Sequence, residues 1–156
     1  MLAAGSSSNH MHLIEEGLYL GRLAASKDLD LLREHNITRV LSILDTFKYF
    51  RPYEDIEHLR IEMTDSPSSM IIDHVPRGLQ FISESQKSGK NILVHCTKGV
   101  SRSASMVIAY IMVKYSVDFE TAKSIVKSKR ECVCPNDGFQ QQISSIDVEA
   151  YKQYLD

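Results

Sequence analysis

Ile92-Leu93-Val94-His95-Cys96-Thr97-Lys98-Gly99-Val100-Ser101-Arg102-Ser103 joins an apolar run to a Gly/Ser-rich loop, and a longer apolar stretch from Ala104 to Tyr115 follows. A short apolar run, a turn and a long apolar run predict strand, loop and helix in succession. A cysteine and an arginine six positions apart bracket the loop. The N–H groups of such a loop turn inward as a nest, and the helix behind it adds the positive end of its dipole. Arg102 brings a planar fork that holds two oxygens of one anion. Cys96 lies at the mouth of this cradle, where the same positive field favours a thiolate.

The size of the effect is modest. An ordinary thiol is only about 3% ionised at pH 7. Bringing one down to roughly 5.5–6 takes about 3.5–4 kcal/mol of differential stabilisation. A helix terminus, several N–H donors and a guanidinium supply that together. A thiolate beneath a bound phosphate implies in-line attack on phosphorus and a phosphocysteine intermediate.

The pattern H-C-x5-R-S resembles the signature loop of the cysteine-based protein tyrosine phosphatases. The longer stretch through Ala109-Tyr110-Ile111-Met112, with Leu18-Tyr19-Leu20-Gly21 and the Pro135-Asn136-Asp137-Gly138-Phe139 turn, resembles the small, atypical dual-specificity members. The likeness covers roughly residues 13–146. It includes the usual arginine before that turn, Arg130, although Glu131-Cys132-Val133-Cys134 is not its commonest filling. The resemblance implies hydrolysis of phosphotyrosine and phosphoserine/phosphothreonine in proteins, without a cofactor or metal. It implies that Cys96 is the nucleophile, Arg102 the phosphate clamp, and Thr97, Lys98, Gly99, Val100 and Ser101 the phosphate-binding loop. No tyrosine-bearing loop of the kind that deepens classical tyrosine phosphatase pockets is visible. A shallower pocket admits phosphoserine and phosphothreonine beside phosphotyrosine.

The leaving oxygen needs a proton, and Asp65 is the candidate general acid and base. It lies 31 residues before Cys96, where a strand gives way to the polar loop Asp65-Ser66-Pro67-Ser68-Ser69. That placement suits a side chain that swings over the substrate, and its spacing matches the family's general-acid loop. Asp45 and Asp55 are the fallbacks. The resemblance gives Ser103 a hydrogen bond to the thiolate that eases breakdown of the phosphoenzyme. His95 is expected to point away from the substrate and hold the loop. Asn136 is expected to brace the active-site loops, its plainer alternative being an Asx turn. The remaining histidines show no partner pattern and default to surface or core.

The rest of the chain reads as an α/β domain with a central, mostly parallel twisted sheet flanked by helices. Residues 12–15 and 18–21 suit a hairpin around Glu16-Gly17. Helices are expected over Ala24–His35, about Ile72–Ser88, Arg102–Tyr115, after Asp118 as a cap, and from Phe139 through Leu155. Strands are expected at 39–44, 57–63 and 91–95. Residues 1–11, with Gly5-Ser6-Ser7-Ser8-Asn9, read as a flexible tail or a cloning scar, and residues 12–156 as one catalytic domain.

A composition of 43% apolar and 24% charged residues places the chain among soluble globular domains rather than disordered or membrane classes. A net charge of −2 predicts no nucleic-acid partner, and no run reaches the roughly 18 apolar residues of a membrane span. Three cysteines without a secretory signal predict free thiols and a cytoplasmic location, with the nucleus second. Cys132 and Cys134 read as ordinary thiols, with a disulfide to Cys96 under oxidation as the alternative. The expected partners are phosphoproteins, protein kinases included, and the expected state is a monomer or weak dimer. Two other readings remain open at this stage: a phosphoinositide or other non-protein phosphatase on the same scaffold, and a phosphate-binding module without catalysis.

Overall fold

Gly17 turns the chain at φ +82°, and the alternating segments on either side pair as β1 (Met11–Glu15) and β2 (Leu18–Gly21). β3 (Ile37–Leu44) is buried at every position except Thr38, as a strand covered on both faces should be. β4 (Glu57–Glu62) and β5 (Asn91–His95) complete one sheet in the order β1-β2-β5-β3-β4. Only the β1–β2 pairing is antiparallel; β2–β5, β5–β3 and β3–β4 are parallel. The computed structural model describes residues 9–51 and 53–156.

Helices cover both faces. On one side α1 (Leu23–Ser26) and α2 (Leu29–Glu34) close a small core of Ala25, Leu31, Leu32, Ile37, Val40 and Leu93. On the other lie α3 (Val75–Lys87), α4 (Arg102–Tyr115), α5 (Phe119–Lys129), α6 (Asp137–Ser144) and α7 (Val148–Tyr151). α4 is the central one. Every residue from Arg102 to Val113 is buried, as expected of a helix apolar all round, and Ser116 ends it in the left-handed region at φ +54°. Pro76 sits in the first turn of α3, where its missing N–H costs nothing. Asp118 caps α5 by accepting from Thr121 N–H at 2.9 Å.

Three expectations change. The helix expected over Ala24–His35 is two helices, because Asp28 takes Leu31 N–H at 3.0 Å and starts a new one. The helix expected from Phe139 to Leu155 likewise breaks after Ser144. Asp147 caps α7 through Ala150 N–H, and a 3-10 turn over Lys152–Leu155 ends the chain. Finally, the tail boundary drawn after residue 11 cuts into the fold. Met11 is 7% exposed and faces Gly21 across the hairpin, while Arg22 N–H donates to the His10 carbonyl at 2.8 Å. Gly21 permits this approach, since a Cβ there would lie 2.5 Å from that carbonyl oxygen. The rest of the expected tail, residues 1–8, lies outside the described residues.

Candidate active site

The loop between β5 and α4 is built from behind. All six carbonyls from Cys96 to Ser101 have partners outside the loop's concave side. The Cys96 carbonyl faces His95 Nδ1 at 3.0 Å, and that of Thr97 accepts Leu23 N–H at 3.0 Å. Arg130 donates to Lys98 through Nη2 at 3.1 Å and to Gly99 through Nε at 3.0 Å. The Val100 carbonyl accepts Cys134 N–H, and that of Ser101 accepts Ser105 N–H, both at 2.8 Å. With the carbonyls held outward, the intervening N–H groups face inward as an anion nest. Gly99 makes the turn at φ +69°; a Cβ there would meet the Gly21 carbonyl oxygen at 2.5 Å and Arg130 Nη2 at 2.7 Å.

Within this cradle Cys96 is 2% exposed. Its Sγ lies 3.0 Å from Ser103 Oγ and accepts Gly99 N–H at 3.3 Å. Ser101, the N-cap of α4, gives no side-chain cap, so the helix directs its first-turn N–H groups at the cradle. The Ser101 hydroxyl instead accepts Asn136 N–H at 3.0 Å. Arg102 is buried. One of its η nitrogens donates to the Asp45 carboxylate and, at 2.8 Å, to the Met63 carbonyl; the other donates to Thr97 Oγ1 at 3.2 Å. Its Nε–H is buried and has no hydrogen-bond partner among the described residues. A buried guanidinium donor beside a nest of N–H groups is the geometry for a tetrahedral oxyanion.

A cavity of about 420 Å³ opens over Sγ, lined by Asp45, Asp65, Cys96, Thr97, Lys98, Val100, Ser101 and Arg102. Asp65 therefore reaches the same space as the cysteine, as its spacing predicted. Its loop is seated rather than free. Asn136 Nδ2 donates to Asp65 Oδ1 at 2.9 Å while Asn136 Oδ1 caps α6 through Phe139 N–H at 2.9 Å. Gly138 packs so closely that a Cβ there would lie 1.9 Å from the Pro67 carbonyl oxygen. Gln142 donates to the Ser69 carbonyl and accepts Ile72 N–H. Asn136 is thus both Asx cap and brace, joining two roles the sequence held as alternatives.

Of the fallback acids, Asp45 lines the cavity but is engaged by Arg102, and Asp55 does not line it. No local pattern marks Asp45 as the partner of Arg102; only proximity in space reveals it. His95 is buried behind the loop and away from the cavity, with Nε2 2.5 Å from Ser42 Oγ. His58, read as a default core or surface histidine, lies 2.8 Å from the other side of that hydroxyl. Burial holds both rings neutral, with pKa values pushed down to about 4. Cys132 and Cys134 are exposed free thiols. Among the described residues, no cluster of three or more His, Cys, Asp or Glu side chains is arranged to hold a metal.

The chain is similar in sequence and in fold to known proteins. The family described as dual specificity phosphatase, catalytic domain, matches residues 18–149. Dual specificity protein phosphatase 22 of Homo sapiens is 38% identical over 151 residues, covering 94% of this chain and 80% of that protein. Its Xenopus laevis counterpart is 40% identical over 151 residues, covering 94% and 71%. The crystal structure of DUSP15 superposes with a TM-score of 0.88 at 33% identity, covering 95% of this chain and 96% of that one.

Proposed function

The chain belongs to the dual-specificity phosphatase family and acts on phosphoproteins, and from that premise we propose how its own residues carry the reaction. Substrate phosphate enters the nest with Arg102 Nε–H and the loop N–H groups on its oxygens. The Cys96 thiolate attacks phosphorus in line. The P–O bond to the serine, threonine or tyrosine oxygen breaks as Asp65 delivers its proton to that oxygen. Asp65, now a carboxylate, takes a proton from water, whose oxygen attacks the phosphocysteine. The P–S bond breaks, phosphate leaves, and the Ser103 hydroxyl at 3.0 Å donates to the returning thiolate. No step needs a metal.

The observation that carries this reading is the outward turn of all six carbonyls around a buried Sγ, beside a buried guanidinium N–H without a partner. Substrates include protein kinases in this proposal, and the enzyme is a monomer or weak dimer in the cytoplasm and, second, the nucleus. The three free thiols support a reducing compartment. Among the described residues, no helix is long and apolar enough to cross a membrane. The test is phosphate release from a peptide phosphorylated on both threonine and tyrosine, with and without EDTA, beside Cys96→Ser. Release from both sites, unaffected by EDTA and absent in the variant, is expected. Turnover in Cys96→Ser would overturn the phosphocysteine route.

A further inference from the structure

Behind the cradle runs a chain of three side chains that the mechanism above does not use: Ser42 on β3, His58 on β4 and His95 at the end of β5. Its hydrogen bonds have only one consistent direction. A carbonyl oxygen only accepts, so His95 Nδ1, 3.0 Å from the Cys96 carbonyl, carries the proton. The buried ring is neutral, so His95 Nε2 is a bare lone pair and must accept. Ser42 Oγ, 2.5 Å away, therefore donates to it. With its single proton so placed, Ser42 can only accept from His58 Nε2 at 2.8 Å. His58 then carries its proton on Nε2 and leaves Nδ1 bare. That nitrogen is indeed buried without a hydrogen-bond partner among the described residues, and an unpartnered acceptor is better tolerated there than an unpartnered N–H.

We propose that His58 is a positioning residue for the phosphatase reaction: its donation to Ser42 fixes His95 as the Nδ1–H tautomer and so holds the Cys96 backbone for attack. Which nitrogen of a histidine is protonated is set by the bond the other nitrogen makes. Without the His58 donor, Ser42 is free to accept from His95 Nε2–H. The opposite tautomer then sets a lone pair against the carbonyl of the nucleophile's own residue, and the two repel. Burial and then the Arg60 guanidinium disfavour a second proton on His58, and a charge on His58 would in turn disfavour one on His95. The Phe50 ring stands edge-on to it at 4.6 Å between centroids. The catalytic consequence rests on the phosphocysteine reading, whereas the proton arrangement does not.

The first test uses the unaltered protein. Long-range proton–nitrogen correlation spectra at pH 7 should show His95 protonated on Nδ1 and His58 on Nε2. Either ring in the opposite tautomer overturns the proposal, whether or not the protein releases phosphate. The second test is site-resolved alkylation of Cys96 by iodoacetate at pH 6. His58→Phe, which keeps a ring but no donor, should slow it on the order of threefold, the change that half a pH unit in thiolate fraction produces. His58→Gln, whose amide nitrogen reaches the same place, should restore the rate. In a Ser42→Ala background, His58→Phe should add nothing. An unchanged rate in His58→Phe, failure of the glutamine to rescue, or an equal effect without Ser42 would each overturn it. The spectra need no substitution, so they can overturn the proposal even if His58→Phe does not fold.

Discussion

The cradle and the acid loop form two walls of one cavity and are held by different means. Cys96, Arg102 and Ser103 are buried, and the loop between them is fixed by backbone amides and the buried Arg130 guanidinium. Asp65 is exposed and bonded by Asn136, the N-cap of one short helix, while Gly138 and Gln142 of that helix seat its loop at Pro67 and Ser69. Buried polar ties are hard to loosen, since each broken one leaves a desolvated group without a partner. The one tie to Asp65 itself is exposed and exchanges with water at little cost. Under the proposed mechanism the phosphate site is therefore set before substrate arrives, while Asp65 can adjust to leaving groups on side chains of different length.

The contrast predicts that damage to the cradle strikes every substrate alike, whereas damage to the acid loop discriminates by leaving group. Under the proposed mechanism the largest effect belongs to Cys96. Cys96→Ser should lower kcat by at least about 10⁴-fold on aryl and alkyl phosphates equally, with phosphate still protecting the protein against heat. Arg130→Met should come next. It strips the Lys98 and Gly99 carbonyls of their donors, so stability should fall by about 2–3 kcal/mol in denaturant titrations. Its kcat should fall about 100-fold without regard to leaving group. A larger loss on phosphoserine than on an activated aryl phosphate would erase the distinction between the two walls.

Asp65→Asn should lose about 100-fold on phosphoserine and phosphothreonine peptides but only a few-fold on activated aryl phosphates. Stability should respond to acid through the buried histidines behind the cradle. The folded pKa of His95 is about 4, below the ordinary 6.5, so the unfolded chain takes up a proton first as pH falls. Stability is then highest above 6.5 and falls between 6.5 and 4. His95 alone should account for about 2 kcal/mol lost between pH 7 and 5 in denaturant titrations, with a smaller share from the less buried His58. Asn136→Ala should be mildest. It removes a cap worth about 1 kcal/mol and frees Asp65, lowering kcat about tenfold on alkyl phosphates and little on aryl ones.

The two walls also differed in how far they could be read from the chain. The cradle is nearly contiguous in sequence. Strand, loop and helix from Asn91 to Tyr115 declared themselves by apolar period, by Gly99 and by the Cys96–Arg102 spacing. The place of Asp65 at the cavity was legible by its distance from Cys96, and the Asp118 cap by residue type. The supports were not. Asp45 and Arg102 are 57 positions apart, Asn136 and Asp65 are 71, and Ser42 and His95 are 53. No local pattern marks such pairs, because strand order and helix packing decide them. The helix breaks at Asp28 and Asp147 were missed for a different reason. Each aspartate lies inside an apolar pattern compatible with a continuous helix, and only its capping bond shows the interruption.

Arg130 ties more than the loop. Its Nη1 also reaches the Asn9 carbonyl at 3.2 Å and His12 Nδ1 at 2.8 Å, across 121 and 118 positions of chain. One guanidinium thus joins the start of the first strand, the phosphate loop and the turn beyond α5. Contacts of such sequence separation carry the greatest loop-closure cost and form late in folding. Helices and the parallel strands can assemble before this clasp closes, but the carbonyls of Lys98 and Gly99 cannot be held outward until it does. In kinetic terms the catalytic site is a late reporter: a refolding chain should regain its helical signal before it regains phosphate affinity.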